Sequence, residues 1–180
     1  MKTKVLTLAL CALSLNAMAV KKNIKQLEFD ASKGKQMELT MPRGELVRYT
    51  AYEHLYFVTN VEDTTYQYLN IYVPEGATEA TPIFLRTYVV GYMASKAGQP
   101  QASDATGRAL KEGYVVVIPG SRGRNSVITK GKKTIYTGRA PKAILDLKAA
   151  IRYLRHFDKQ IPGNTERIIT DGTSAGGAMS

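Results

Sequence analysis

Ile168-Ile169-Thr170-Asp171-Gly172-Thr173-Ser174-Ala175-Gly176-Gly177 is the stretch on which the fold turns. Ile168-Ile169-Thr170 reads as a short strand, Gly172 opens a turn, and the small residues from Ala175 onward suit the start of a helix. Gly172 to Gly176 fit the pattern Gly-x-Ser-x-Gly. Between a strand and a helix that pattern has a physical logic. The serine occupies a sharp, strained turn that lifts its hydroxyl clear of a sheet, and Gly172 and Gly176 fall where the two backbones nearly touch, so a Cβ would clash. By composition alone about one chain of this length in twenty carries the pattern. Its weight therefore comes from its surroundings.

Upstream, Pro162-Gly163 interrupts the chain, and before it lies the clearest helix. Pro141 stands near the helix start, where a missing N–H costs nothing. Ile144, Leu147, Ile151 and Leu154 follow at spacings that make one apolar stripe, with Lys148, Arg152 and Arg155 off it. Tyr114-Val115-Val116-Val117-Ile118, closed by Pro119-Gly120, is apolar on both faces, as a strand covered by helices on either side must be. Ser103 and Asp104 can cap a short helix that reaches Glu112 and ends at Gly113. Pro82 to Leu85 starts a strand running into Tyr88-Val89-Val90-Gly91. Tyr68 to Val73 alternates, with Leu69, Ile71 and Val73 on one face, and residues 46–58 hold one or two strands. Residues 20–45 read as a polar, weakly structured approach segment. This order predicts an α/β fold, a mostly parallel sheet with helices on both faces, over residues 46–180. Because a half-covered sheet would expose a large apolar area, the domain is expected to be incomplete and to continue beyond Ser180.

Residues 1–19 read as an export signal. Lys2 and Lys4 form a basic start, residues 5–15 are apolar, and Ala17-Met18-Ala19 offers a small–x–small cleavage site. The apolar run is too short for a membrane span. The mature chain is thus expected to begin at Val20, outside the cytoplasm, without a stable membrane anchor. The single cysteine, Cys11, lies within that segment, so no disulfide and no thiol chemistry is expected of the mature chain. The net charge of +10 falls to +8 without Lys2 and Lys4. The charges are dispersed, the densest patch being Lys130, Lys132 and Lys133 in a glycine-bounded loop, so a solvated surface is expected rather than a nucleic-acid interface.

Chemistry is expected at Ser174 as a nucleophile, with the Ala175 N–H aimed at a developing oxyanion. A phosphate-cradling loop is disfavoured, since no Lys follows Gly176-Gly177 and Gly-x-Gly-x-x-Gly spacing is absent. No metal motif and no cofactor motif is present. His54 and His156 both precede Ser174, whereas the order that goes with this elbow is serine, acid, histidine. Both read as surface or packing residues, and the acid and base are expected beyond residue 180, which predicts that this piece alone is inactive.

The stretches "LNIYVP", "PIFL" followed by Val90-Gly91-Tyr92, "GYVVVIPGSRGRNS", "GRAPKAILDLKAAIRYLR" and "PGNTERIITDGTSAGGAMS" together resemble the bacterial tannases and tannase-like esterases of the α/β-hydrolase fold. The likeness runs from about Leu69 to Ser180 and implies an acyl-enzyme hydrolase of small-molecule carboxylic esters, with gallate esters as the leading substrates. It also implies Gly91 N–H as a second oxyanion donor, although the family usually carries two glycines where this chain has Val90-Gly91. Arg122 and Arg124, in "GSRGR", are expected to pair with carboxylates or carbonyls beneath the loop, Asp146 being a candidate partner, and a clamp on a substrate carboxylate or phenol is the other reading. A feruloyl or acetyl esterase, a prolyl-oligopeptidase-type peptidase and a non-catalytic binding module on the same scaffold remain alternatives at this stage.

Overall fold

The computed structural model describes residues 21–180, so the export-signal reading of residues 1–19 lies outside the described residues. The strands are β1 (Lys22–Asn23), β2 (Lys35–Thr40), β3 (Leu46–Tyr56), β4 (Asn60–Val61), β5 (Tyr68–Pro74), β6 (Pro82–Thr87), β7 (Val115–Pro119), β8 (Val127–Lys130), β9 (Lys133–Tyr136) and β10 (Asn164–Gly172). The helices are α1 (Ala105–Lys111), α2 (Lys142–His156) and α3 (Ala175–Ala178), with one 3₁₀ turn at Ala31–Lys33.

Six strands form one sheet in the order β10-β6-β7-β5-β3-β2. β10–β6 and β6–β7 are parallel, while β7–β5, β5–β3 and β3–β2 are antiparallel. The sheet is therefore mixed, a correction to the mostly parallel sheet expected from the sequence. Connection length is the reason. Strands that run the same way need a crossover of about a dozen residues or more, which the chain supplies from β6 to β7 through α1 and from β7 to β10 through α2, whereas residues 75–81 turn the chain back between β5 and β6. Residues 41–45 between β2 and β3 permit only a hairpin.

Helices do cover both faces. Val115 and Val117 of β7 pack with Leu69, Ile71, Ile83 and Leu85 against Ala150, Tyr153 and Leu154 of α2. Val116 and Ile118, on the other face, pack with Tyr49, Ala51 and Tyr72 against Ala109 and Leu110 of α1. All four β7 residues are fully buried, which at roughly 1.5–3 kcal/mol per large aliphatic side chain makes this strand the centre of the core.

Local signals held best where polar residues close an element. Asp104 caps α1, its carboxylate accepting from Thr106 N–H at 2.8 Å, and Gly113 ends the helix at φ 85°. Two details differ from the sequence reading and a third extends it. On α2 the buried stripe is Leu147, Ala150, Tyr153 and Leu154 together with Asp146, while Ile144 stays 38% exposed. Asp146 is buried beneath a loop described below. The approach segment contributes β2, a solvent-facing edge strand whose charged residues suit an edge. Lys130, Lys132 and Lys133, read as a glycine-bounded loop, sit at the tip of a β8–β9 hairpin, with Gly131 at φ 59° making the turn.

The C-terminal ends of β6, β7 and β10 point the same way because these three strands are parallel. The loops that follow them therefore gather at one edge of the sheet, the edge where α/β proteins usually place their chemistry.

Candidate active site

Ser174 stands where β10 turns into α3, at φ 55° and ψ −122°. A side chain with a Cβ rarely adopts such a backbone, at a cost of about 1–3 kcal/mol, so the surrounding packing must hold it. A Cβ placed on Gly172 would lie 2.3 Å from the Gly176 carbonyl carbon and 2.6 Å from the Gly177 nitrogen. One placed on Gly176 would lie 2.7 Å from the Thr87 carbonyl oxygen. The strand, the helix start and the exit of β6 are thus in backbone contact through two glycines. Ala175 is buried against Val89, Leu147 and Met179, and as the first residue of α3 its N–H has no intrahelical partner.

Beside the elbow lies a charged pair that sequence reasoning missed. Arg86 of β6 pairs with Asp171 of β10 and donates to Thr173 Oγ1 at 3.3 Å. Its guanidinium sits 5.1 Å from the Tyr88 ring centroid. The Tyr88 hydroxyl donates to Asp104 Oδ2 at 2.5 Å, and burial, reinforced by that carboxylate, pushes its pKa up to about 12. The available signal was a lone arginine in an otherwise apolar strand.

After β6 the chain turns at Val90–Met93, with Met93 N–H donating to Val90 O at 3.0 Å and both central residues, Gly91 and Tyr92, at φ 57°. Gly91 therefore lies two residues past Val89, which touches the elbow.

Neither histidine approaches Ser174. His156 ends α2, which leads back to the N-terminal edge of the sheet, and it packs edge-on against Phe157. His54 lies on β3, four strand positions from β10, on the order of 19 Å at about 4.8 Å per strand. There its ring stacks on Tyr68 at 4.2 Å and Nε2 shares a hydrogen bond of 2.9 Å with the Tyr56 hydroxyl. Burial, with Lys22 nearby, holds its pKa below the ordinary histidine value. Among the described residues no cluster of three or more His, Cys, Asp or Glu is arranged to hold a metal. No helix among them is long and apolar enough to cross a membrane.

The two arginines of the loop after β7 separate. Arg122 is buried and grips Asp146 with two side-chain hydrogen bonds of 2.9 and 2.8 Å, while its own backbone N–H donates to the same carboxylate at 2.9 Å. Gln67 donates to Asp146 Oδ1 at 3.0 Å, and Glu62 bridges Arg122 to Lys142. Burial works against the Arg122 charge, but the two carboxylates outweigh it and hold its pKa above the usual arginine value. Arg124, by contrast, is exposed and donates from Nε to Gly91 O at 2.9 Å.

A pH dependence follows from Glu62. The Lys142 hydrogen bond outweighs partial burial, and with both cations nearby the Glu62 carboxyl is held below its ordinary value. A depressed folded-state value contributes stability above the ordinary carboxylate range that is lost as pH falls through the folded value. In the full-length protein, Glu62→Gln is expected to flatten the stability change between about pH 5 and pH 3, measured by denaturant midpoints at each pH. An acid limb as steep as wild type would show that Glu62 does not titrate with unfolding.

Comparison with known proteins fits this geometry. Residues 69–180 match the family model described as BD-FAE. The tannase of Fusobacterium nucleatum is 39% identical at a TM-score of 0.77, covering 86% of this chain and 34% of its own. A tannase from Lactobacillus plantarum is 37% identical at 0.76, covering 86% and 36%. A tannin acyl hydrolase crystallised with ethyl gallate is 34% identical at 0.74, covering 84% and 36%. The chain thus spans about a third of the length of these tannases. Among curated proteins none matches the chain. The chain belongs to the BD-FAE family of α/β-hydrolase-type esterases and is tannase-like, corresponding to the N-terminal part of those enzymes.

Proposed function

We propose that this chain carries the nucleophile of a serine carboxylic-ester hydrolase acting on gallate or related plant phenolic esters. The backbone of Ser174 carries the reading: a strained φ of 55° between a strand and a helix, with Gly172 and Gly176 in contacts that admit no side chain. Ser174 Oγ attacks the ester carbonyl while a histidine takes its proton. The tetrahedral oxyanion is received by the Ala175 N–H and the Gly91 N–H. Collapse expels the alcohol, to which the histidine returns the proton, and water then clears the acyl-enzyme by the same route. His54 and His156 are too far off or otherwise engaged, so the base and its acid partner are assigned to sequence outside these 180 residues, and residues 20–180 alone are inactive. The phenolic substrate class rests on the related tannin acyl hydrolases, described with ethyl gallate and with 3,4-dihydroxybenzoate. A serine-directed phosphonate incubated with the full-length protein should add to Ser174, read by peptide mass spectrometry. Labelling confined to another serine would overturn the assignment.

Export belongs to the same proposal, motivated by Lys2, Lys4 and Ala17-Met18-Ala19. Protein recovered from outside the cytoplasm should give an N-terminal sequence beginning at Val20. Protein found only in the cytoplasm and still starting at Met1 would contradict it.

A further inference from the structure

Residues 91–95 of the loop after β6 are zipped to the loop after β7. Ser95 and Ser121 exchange both backbone hydrogen bonds, at 3.0 and 2.8 Å. Ala94 N–H donates to Asn125 Oδ1 at 2.7 Å, and Arg124 N–H donates to Tyr92 O at 2.8 Å. Arg124 Nε donates to Gly91 O at 2.9 Å. Gly123 lies so close that a Cβ on it would fall 2.1 Å from the Ala94 nitrogen. The lower loop is itself anchored, because Arg122, between Ser121 and Gly123, is locked to Asp146 on α2.

These contacts bear on a turn with little reason to hold its shape alone. Gly91 is the conformationally freest residue type, and Tyr92 is held in the left-handed region although 52% exposed. Val90, the residue before Gly91, is 74% exposed and adds no packing. The peptide on each side of Gly91 is nevertheless pinned. The bond from Met93 N–H to Val90 O fixes the plane that carries the Gly91 N–H, since the peptide is planar and N–H points opposite to C=O. The Arg124 bond fixes the next plane through Gly91 O. We propose that the loop after β7 is a template for the oxyanion loop, and that Arg124 is a positioning residue for ester hydrolysis, acting through Gly91. This inference rests on the serine-hydrolase reading above.

A donor that must already point at the developing charge is worth more than one that must first be ordered. Loss of the Arg124 side-chain bond frees the Gly91–Tyr92 peptide, so that the adjoining plane with the Gly91 N–H is held by the Met93–Val90 bond alone and can swing about the Gly91 torsions. Substrate binding is little affected, because the oxyanion exists only past the ground state.

The test uses the full-length protein with Arg124→Met and Arg124→Lys, active sites being counted by phosphonate labelling of Ser174. For Arg124→Met, kcat per labelled site on methyl gallate and on a nitrophenyl ester should fall about 10- to 100-fold, short of the 10²–10³ for outright loss of a donor, with KM within about threefold. Arg124→Lys should recover part of that loss, since an ammonium can donate to the same carbonyl. A purely structural role would lower the number of labelled sites and leave kcat per site unchanged, and that result overturns the proposal. Should Arg124→Met fail to fold, Asn125→Ala, which releases Ala94 from the same template, is read by the same criterion. If Ser174→Ala abolishes turnover while Arg124→Met keeps wild-type kcat per site, only this inference falls. If Ser174→Ala stays active, the parent reading falls.

Discussion

Full-length protein carrying Ser174→Ala is expected to lose about 10⁶-fold in kcat on methyl gallate and on simple acyl esters, the scale on which loss of a catalytic serine is felt. The substitution removes the attacking oxygen and leaves a small side chain at φ 55°. Alanine meets the same backbone strain that serine already bears, and Ser174 makes no side-chain hydrogen bond that caps α3. Thermal unfolding should therefore stay within a few degrees of wild type, a difference of under about 1 kcal/mol. Residual turnover of about 10³–10⁴ over the uncatalysed rate would survive from the oxyanion donors and binding. Wild-type activity in a folded Ser174→Ala protein would falsify the central reading. Turnover of acyl esters with none of gallates in the unmutated enzyme would spare the mechanism and remove the tannase substrate.

The second large effect is on stability. Arg122→Met should cost the full-length protein about 3–5 kcal/mol, because it strands Asp146 as a buried carboxylate with its charge uncompensated. Arg122 is 5% exposed and Asp146 2%, so solvent cannot take over the lost partner. Gln67 and the Arg122 backbone N–H would remain on the carboxylate, but neither carries a charge. Replacing both members, Arg122→Met with Asp146→Leu, removes the stranded charge and should restore part of the loss, the Gln67 amide and the Arg122 backbone N–H being left without their acceptor. Denaturant midpoints of the two single variants and the double variant read this directly. Were the double variant no more stable than Arg122→Met, the cost would lie in packing of the loop rather than in the ion pair. The same anchor supports the template beneath Gly91, so Arg122→Met is also expected to lower kcat in whatever fraction stays folded.

Much of the fold was legible because it depends on local and periodic properties. The all-apolar run Val115–Ile118 could only be a strand covered on both faces, and it is the fully buried β7. Leu69, Ile71 and Val73 do share a face, and Asp104 and Gly113 do bound α1. Strand direction was not legible, since it is set by which distant strands become neighbours. β7 inserts between β5 and β6, and nothing in its own residues says so. On α2 the stripe was legible at Leu147, Ile151 and Leu154 but not at Ile144, and the missed member was Asp146. Asp146 counts as polar in any periodicity, yet it is buried because Arg122, Gln67 and the loop after β7 satisfy it.

The site divides along the same line. Sequence by itself determined that Ser174 lies on a strand-to-helix turn between two required glycines. That geometry is built within a few residues, and backbone sterics allow few alternatives. It also sufficed for the esterase family, through stretches whose spacing is specific. Only the tertiary structure decided that Arg86 and Asp171 clasp the elbow from two strands. The same holds for the parting of Arg122 and Arg124 into a buried anchor and an exposed hold on Gly91, and for the aromatic neighbour on which His54 packs. Each of those depends on contacts between residues far apart in the chain, whose energies arise only when the sheet order brings the groups together and excludes water from between them.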